Sequence, residues 1–200
     1  MMHLLFVGDG PRDAATVPIL VKRILNATIE PVSCSWHSVR VKGYKRKVLY
    51  MIRRVRDQGA DGLVATLDAD KERKGRRLRE MCKGRDADRE KYAPVRTALG
   101  EAAPHGEAWL LQDPVAVREG MELPNEVQIP SLRKTKDPKE ALHRLLATSP
   151  RSEDRPVHVW ADIAGLVQPE RYKFKKNTGF GTFEKDVRDE LGPLVTSRAD

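Results

Sequence analysis

The apolar run Leu4-Leu5-Phe6-Val7, closed by Gly8-Asp9-Gly10-Pro11, reads as a buried parallel strand ending in a turn. Beyond it Val17, Leu20, Val21 and Ile24 recur at the spacing of a helix face. Asp13 stands where a cap would start that helix, and Pro18, tolerated only near a first turn, leaves its start open. Pro31 to Val39 alternates like a strand, and residues 43–57 return to the helical pattern at Val48, Met51, Ile52 and Val55. Gly62 to Leu67 reads as the next strand, and Lys71 to Tyr92 as a charged helix interrupted by Gly75 and Gly84. This alternation predicts an α/β fold, a central, mostly parallel sheet of Rossmann-like type with helices on both faces.

The second half is less periodic. Glu107 to Leu111 and Val115 to Val117 read as short helical or strand pieces, and residues 118–136 as a polar, Pro-containing connection. A helix opens at Asp137-Pro138 and carries Ala141, Leu142, Leu145 and Leu146. Others are expected over Val157 to Leu166 and Phe183 to Leu191. The expected organisation is an α/β domain over 1–118 and a helical C-terminal extension, 119–200, packed on the same unit.

Composition narrows partners more than fold. The 200 residues carry a net charge of +8, with 40% hydrophobic and 33% charged side chains, as in an ordinary globular protein with a field that attracts polyanions. Nucleic acid, DNA foremost, is the expected partner. No stretch approaches the ~20 apolar residues of a membrane span. The apolar run at the N-terminus is too short for a signal peptide, and Cys34 and Cys82 have neither disulfide nor zinc-site spacing, so cytoplasmic residence is expected.

Between Arg40 and Arg56 stand eight Lys or Arg and no acid, which marks Lys45, Arg46, Lys47, Arg53 and Arg54 as a phosphate-tracking face. From Lys71 to Lys91 ten cations face five acids, and Arg73, Lys74, Arg76 and Arg77 follow directly on Asp70; a plain solvated helix is the alternative there. Arg171 to Lys176 interleaves cations with Tyr172 and Phe174, suited to stacking on unpaired bases or to an inward-packed strand.

The acids Asp9 and Asp68/Asp70 close two separate strands. In an open parallel sheet the ligand crevice lies beyond the carboxyl ends of the strands, so they can converge there, with Asp13 one turn into the first helix. Unpaired carboxylates this close repel, and hard oxygen donors favour Mg²⁺ or Mn²⁺. Asp-x-Asp after a strand is also an ordinary turn or helix cap.

The pair of motifs Phe6-Val7-Gly8-Asp9-Gly10-Pro11-Arg12-Asp13 and Leu63-Val64-Ala65-Thr66-Leu67-Asp68-Ala69-Asp70 resembles the Toprim domain, in the form found in nucleases of the OLD type and in short stand-alone Toprim proteins. The resemblance covers residues 1–115. It implies a Mg²⁺ (or Mn²⁺)-dependent phosphodiester site, with Asp9 in the place of the usual glutamate as acid/base or ligand and Asp13, Asp68 and Asp70 as metal ligands. The segment Glu107-Ala108-Trp109-Leu110-Leu111-Gln112-Asp113 is similar to an element of the short proteins and implies Glu107 as a further acid, the plainer reading being a solvated cap beside a core Trp109. OLD-type nucleases use a late lysine, here Lys175 or Lys176. Such proteins often work with an ABC-type ATPase, fused or separate, in defence or repair. This chain has no Gly-x-x-x-x-Gly-Lys loop of its own, so a separate ATPase subunit is the implied partner.

Other readings are a nucleic-acid-binding subunit with a degenerate site and a phosphatase of the haloacid-dehalogenase type. The latter would carry its acid pair on the first strand, not after residue 62. A dinucleotide loop is disfavoured because Gly8-Asp9-Gly10-Pro11-Arg12-Asp13 lacks the glycine pattern and puts an acid where pyrophosphate would sit.

Overall fold

The computed structural model describes residues 1–69 and 75–196. Asp70, Arg73 and Lys74, and the predicted start of a helix at Lys71, lie outside the described residues. Four parallel strands, β1 (Met2–Gly8), β2 (Ile29–Ser35), β3 (Gly62–Asp68) and β4 (Arg96–Ala102), form one sheet in the order β2-β1-β3-β4. Helices α1 (Pro11–Leu25), α2 (Tyr44–Gln58) and α3 (Arg76–Arg89) connect them. After β4 come α4 (Glu107–Leu110), α5 (Pro114–Gly120), α6 (Pro138–Ala147), α7 (Pro156–Leu166), α8 (Lys175–Thr178) and α9 (Phe180–Thr196).

Two-residue alternation along the strands sorts the core into two layers. Leu4, Phe6, Val64 and Ala98 face α1, α7 and α9, whereas Leu5, Val7, Leu63, Ala65, Leu67 and Leu99 face α2 and α3. Both faces are covered, as parallel sheets require. Because α5 spans residue 118 and α9 lies on β4, one continuous core joins both halves of the chain. No helix among the described residues is long and apolar enough to cross a membrane.

Several boundaries differ from expectation. The helix α1 starts at Pro11 after Gly10, which makes no side-chain cap, and runs through Pro18; Asp13 is not its cap. The strand β2 stops at Ser35, where Trp36–Ser38 turn into a short 3-10 helix pinned by the Trp36 Nε1 bond to the Thr66 carbonyl at 2.7 Å. Residues 107–110 and 114–120 are helical, and Arg171 to Lys176 passes from a 3-10 turn into α8, not a strand.

Strand β4, over which no element is expected from sequence, is the fourth of the sheet. Its Gly100 has a reason: an added Cβ would stand 2.6 Å from the ring of Phe183, so only glycine lets α9 lie this close. The same helix closes the sheet edge with side chains. Asp186 Oδ2 accepts the Leu99 N–H at 2.7 Å and binds Arg85 at 2.7 Å, while Arg85 also donates to the Thr97 carbonyl at 3.0 Å. Burial, offset in part by Arg85, holds the Asp186 carboxyl above its usual range. At the opposite edge Pro31 on β2 has no N–H to offer a further strand.

Asp186→Ala is expected to lower the unfolding free energy by about 2 kcal/mol, since it orphans the buried Leu99 N–H and strips Arg85 of its nearest partner. Urea titration followed by circular dichroism measures this; a loss under about 0.5 kcal/mol would contradict the edge-closing role.

Candidate carboxylate site at the sheet switch point

From β1 the chain crosses by α1 to β2 on one side, then returns past β1 by α2 to β3 on the other. Strand order therefore reverses between β1 and β3, and the crevice beyond their carboxyl ends is where open α/β sheets bind ligands. Asp9 follows β1 and Asp68 ends β3, and the two meet: Asp9 Oδ2 accepts the Asp68 N–H at 2.7 Å. Asp13, 6% exposed in the first turn of α1, turns back to accept the Asp9 N–H at 2.7 Å. Glu107, 2% exposed at the start of α4, joins them from the segment that follows β4.

Arg12 joins these groups. Its Nε and Nη2 donate to Asp13 Oδ1 at 2.8 and 2.6 Å, Nη2 reaches Asp68 Oδ2 at 2.9 Å, and Nη1 donates to Glu107 Oε2 at 2.6 Å. One guanidinium thus bridges acids from three chain segments. Asp68 Oδ1 accepts the Gly106 N–H at 2.9 Å, and His105 Nδ1 stands 3.5 Å from Asp68 Oδ2. Arg77 donates to the Asp68 carbonyl at 3.0 Å.

The electrostatics are lopsided. Burial, more than any other cause, lifts the Asp68 carboxyl above its usual range; the neighbouring charges of Asp13 and Asp9 add to this, and Arg12 pulls the other way without cancelling it. For Arg12, burial works against the charge, but attraction to Asp13, Asp68 and Glu107 overrides it and holds the guanidinium more firmly protonated. Four carboxyl groups share the crevice with this arginine, an imbalance a further cation would relieve.

Sequence reasoning anticipates the meeting of Asp9, Asp13 and Asp68 and the inclusion of Glu107, which is a buried partner of Arg12 and not a solvated cap. It misses Arg12 and His105. The expectation of unpaired carboxylates is corrected, since Asp13, Asp68 and Glu107 are ion-paired. The sequence signal for Arg12 is its place between Asp9 and Asp13, which does not say which way its side chain turns. Lys175 is held by Glu184 at 2.5 Å, and Lys176 is exposed on α8.

The basic residues divide. Lys45, Arg46 and Arg53 are exposed on α2 and Arg76 on α3. Lys47 lies over the rings of Trp36 and Tyr44, at 5.8 and 5.3 Å, and Arg77 over Tyr44 at 5.8 Å; their charges help fix the 3-10 turn and α3. Arg54 is half-buried, while Arg56 makes a bidentate pair with buried Asp88 at 2.7 and 2.6 Å.

For a divalent ion, the donor chemistry fits: all four side chains offer hard carboxylate oxygens. Among the described residues, no three such groups stand in a metal-holding arrangement, and the Arg12 guanidinium lies between Asp13 and Asp68. Comparison with protein-family models, curated proteins and solved structures returns no match for this chain. The Toprim resemblance therefore rests on its two motifs and their positions at the ends of β1 and β3.

Asp13→Ala is expected to cost about 3 kcal/mol in metal-free buffer, since it removes two bonds from a half-buried guanidinium and orphans the Asp9 N–H. Guanidinium chloride unfolding tests this; a change below about 1 kcal/mol would contradict a tightly paired cluster.

Proposed function

We propose that the protein is a divalent-cation-dependent phosphodiesterase of nucleic acid, with DNA as the preferred substrate. The observation that carries this reading is the convergence of Asp9, Asp13, Asp68 and Glu107 at the carboxyl ends of two neighbouring strands where strand order reverses. Gathering four acids, three of them buried, is costly for a fold that needs only a stable sheet end, and it suits a site built to hold positive charge.

Asp9, Asp13 and Asp68 would hold Mg²⁺ or Mn²⁺; Asp70, in the same motif, lies outside the described residues. Such an ion supplies a polarised phosphoryl oxygen and an activated water. The chain's own residues provide the rest. Exposed Lys45, Arg46 and Arg53 draw a polyanion to the surface by counterion release, and Arg76 extends the positive field on α3. Glu107 and Gly106 fix the far wall, holding Arg12 and Asp68 respectively. A separate ABC-type ATPase and a role in defence or repair belong to this proposal through the Toprim resemblance.

A second reading is favoured by one observation: Arg12 already neutralises part of the cluster and ties its acids together. Here the protein binds nucleic acid without cutting it, and the acids serve the fold.

Purified protein is incubated with plasmid, linear, single-stranded DNA and RNA, with Mg²⁺, Mn²⁺ or EDTA, beside Asp68→Ala. The expected result is cleavage with either metal, none in EDTA, and a loss of about a thousandfold in the variant. Cleavage that survives EDTA and the substitution would overturn the catalytic proposal, while metal-independent binding with no cutting would establish the second reading.

A further inference from the structure

The carboxylate oxygens that suit a divalent ion are the same atoms that Arg12 now engages. Its Nη2 lies between Asp13 Oδ1 and Asp68 Oδ2, at 2.6 and 2.9 Å, and its Nη1 holds Glu107. This inward placement is built into the neighbouring backbone. Gly106 packs directly on the guanidinium, and a Cβ there would stand 3.3 Å from Nε, so a side chain at 106 would crowd Arg12 where it lies. Arg12 is also well placed to leave. It occupies the first turn of α1, next to exposed Pro11, and its side chain keeps 18% exposure, so rotation about its own torsions moves the guanidinium outward without unwinding the helix.

We propose that Arg12 is an internal counter-ion that competes with the divalent cation for Asp13 and Asp68, so that loading of the site and the inward position of Arg12 exclude one another. The proposal rests on the reading of the cluster as a cation site. Its physical logic is that two cations cannot share the same oxygens at these distances without strong repulsion. In the cation-free protein the guanidinium prevents three buried acids from facing each other uncompensated. When the ion enters, Arg12 turns to the crevice mouth, where its planar fork suits a phosphate oxygen pair better than a lysine would. The carboxylate site would then be silent until both a cation and an anionic partner for the displaced arginine are present. By reciprocity, a bound phosphodiester that captures Arg12 tightens the cation, and the cation tightens the phosphodiester.

The test is equilibrium binding of Mn²⁺ alone, read by the paramagnetic resonance of the free ion, to the full chain and to Arg12→Gln and Arg12→Lys, with thermal unfolding of each in EDTA and in Mn²⁺. Arg12→Gln is expected to bind Mn²⁺ about tenfold tighter than the natural chain, to melt lower in EDTA, and to regain that loss in Mn²⁺. Arg12→Lys, whose point charge cannot bridge three acids, is expected to fall between; it carries the test if the glutamine variant does not fold. Variants that bind Mn²⁺ no tighter than the natural chain would overturn the competition while leaving the cation site standing. No binding to any of the three would remove the cation site itself, and the competition with it. Asp68→Ala, expected to abolish binding, fixes the location of the measured ion.

Discussion

A single guanidinium organises the carboxyl end of the sheet. Arg12 ties α1, the end of β3 and the start of α4 into one cluster, through acids that would otherwise repel across a buried crevice. Without that guanidinium, three buried carboxylates would face one another with no opposite charge between them. Burial holds the Asp68 carboxyl above its usual range, with Arg12 drawing it the other way.

The rest of the fold makes that convergence possible. Reversal of strand order sets Asp9 beside Asp68, and layers on both faces keep the strands rigid enough to hold the two at 2.7 Å. The sheet's two edges are finished by different means: Pro31 blunts β2, and α9 covers β4 with Phe183 over Gly100 and Asp186 on the Leu99 N–H. The link from β4 to the site is short, because the chain leaving Ala102 reaches Gly106 and Glu107 within one turn of backbone. Trp109, stacked on Phe183 at 4.9 Å and bonded through Nε1 to the Thr178 carbonyl at 2.8 Å, anchors that segment in the core.

Local pattern was enough for the elements whose burial is continuous. Leu4 to Val7, Leu63 to Leu67 and the helical stripes at Val17–Ile24 and Val48–Val55 announce themselves because the strands are nearly unbroken apolar runs and the helices carry an apolar residue at every third or fourth position. Strand β4 escaped for a physical reason. Its sequence, Arg96 to Ala102, contains one large apolar side chain, Leu99, and its burial is conferred by a helix some eighty residues later. The acids of the site were legible from their strand-end positions, whereas the inward turn of Arg12 was not. Whether an arginine in a helix's first turn faces solvent or crevice depends on acids brought in from residues 68 and 107, a matter of tertiary arrangement. Likewise Lys47 and Arg77 look like surface charge in sequence but lie over aromatic rings supplied by Trp36 and Tyr44.

The central claim is that the acids ending β1 and β3 share a divalent ion. Its most direct test is anomalous diffraction from crystals grown with Mn²⁺. The account predicts a strong anomalous peak among the carboxylates of Asp9, Asp13 and Asp68, with the Arg12 side chain turned out of the crevice. Diffraction showing no peak there, with Arg12 still bridging Asp13, Asp68 and Glu107 at saturating Mn²⁺, would contradict it.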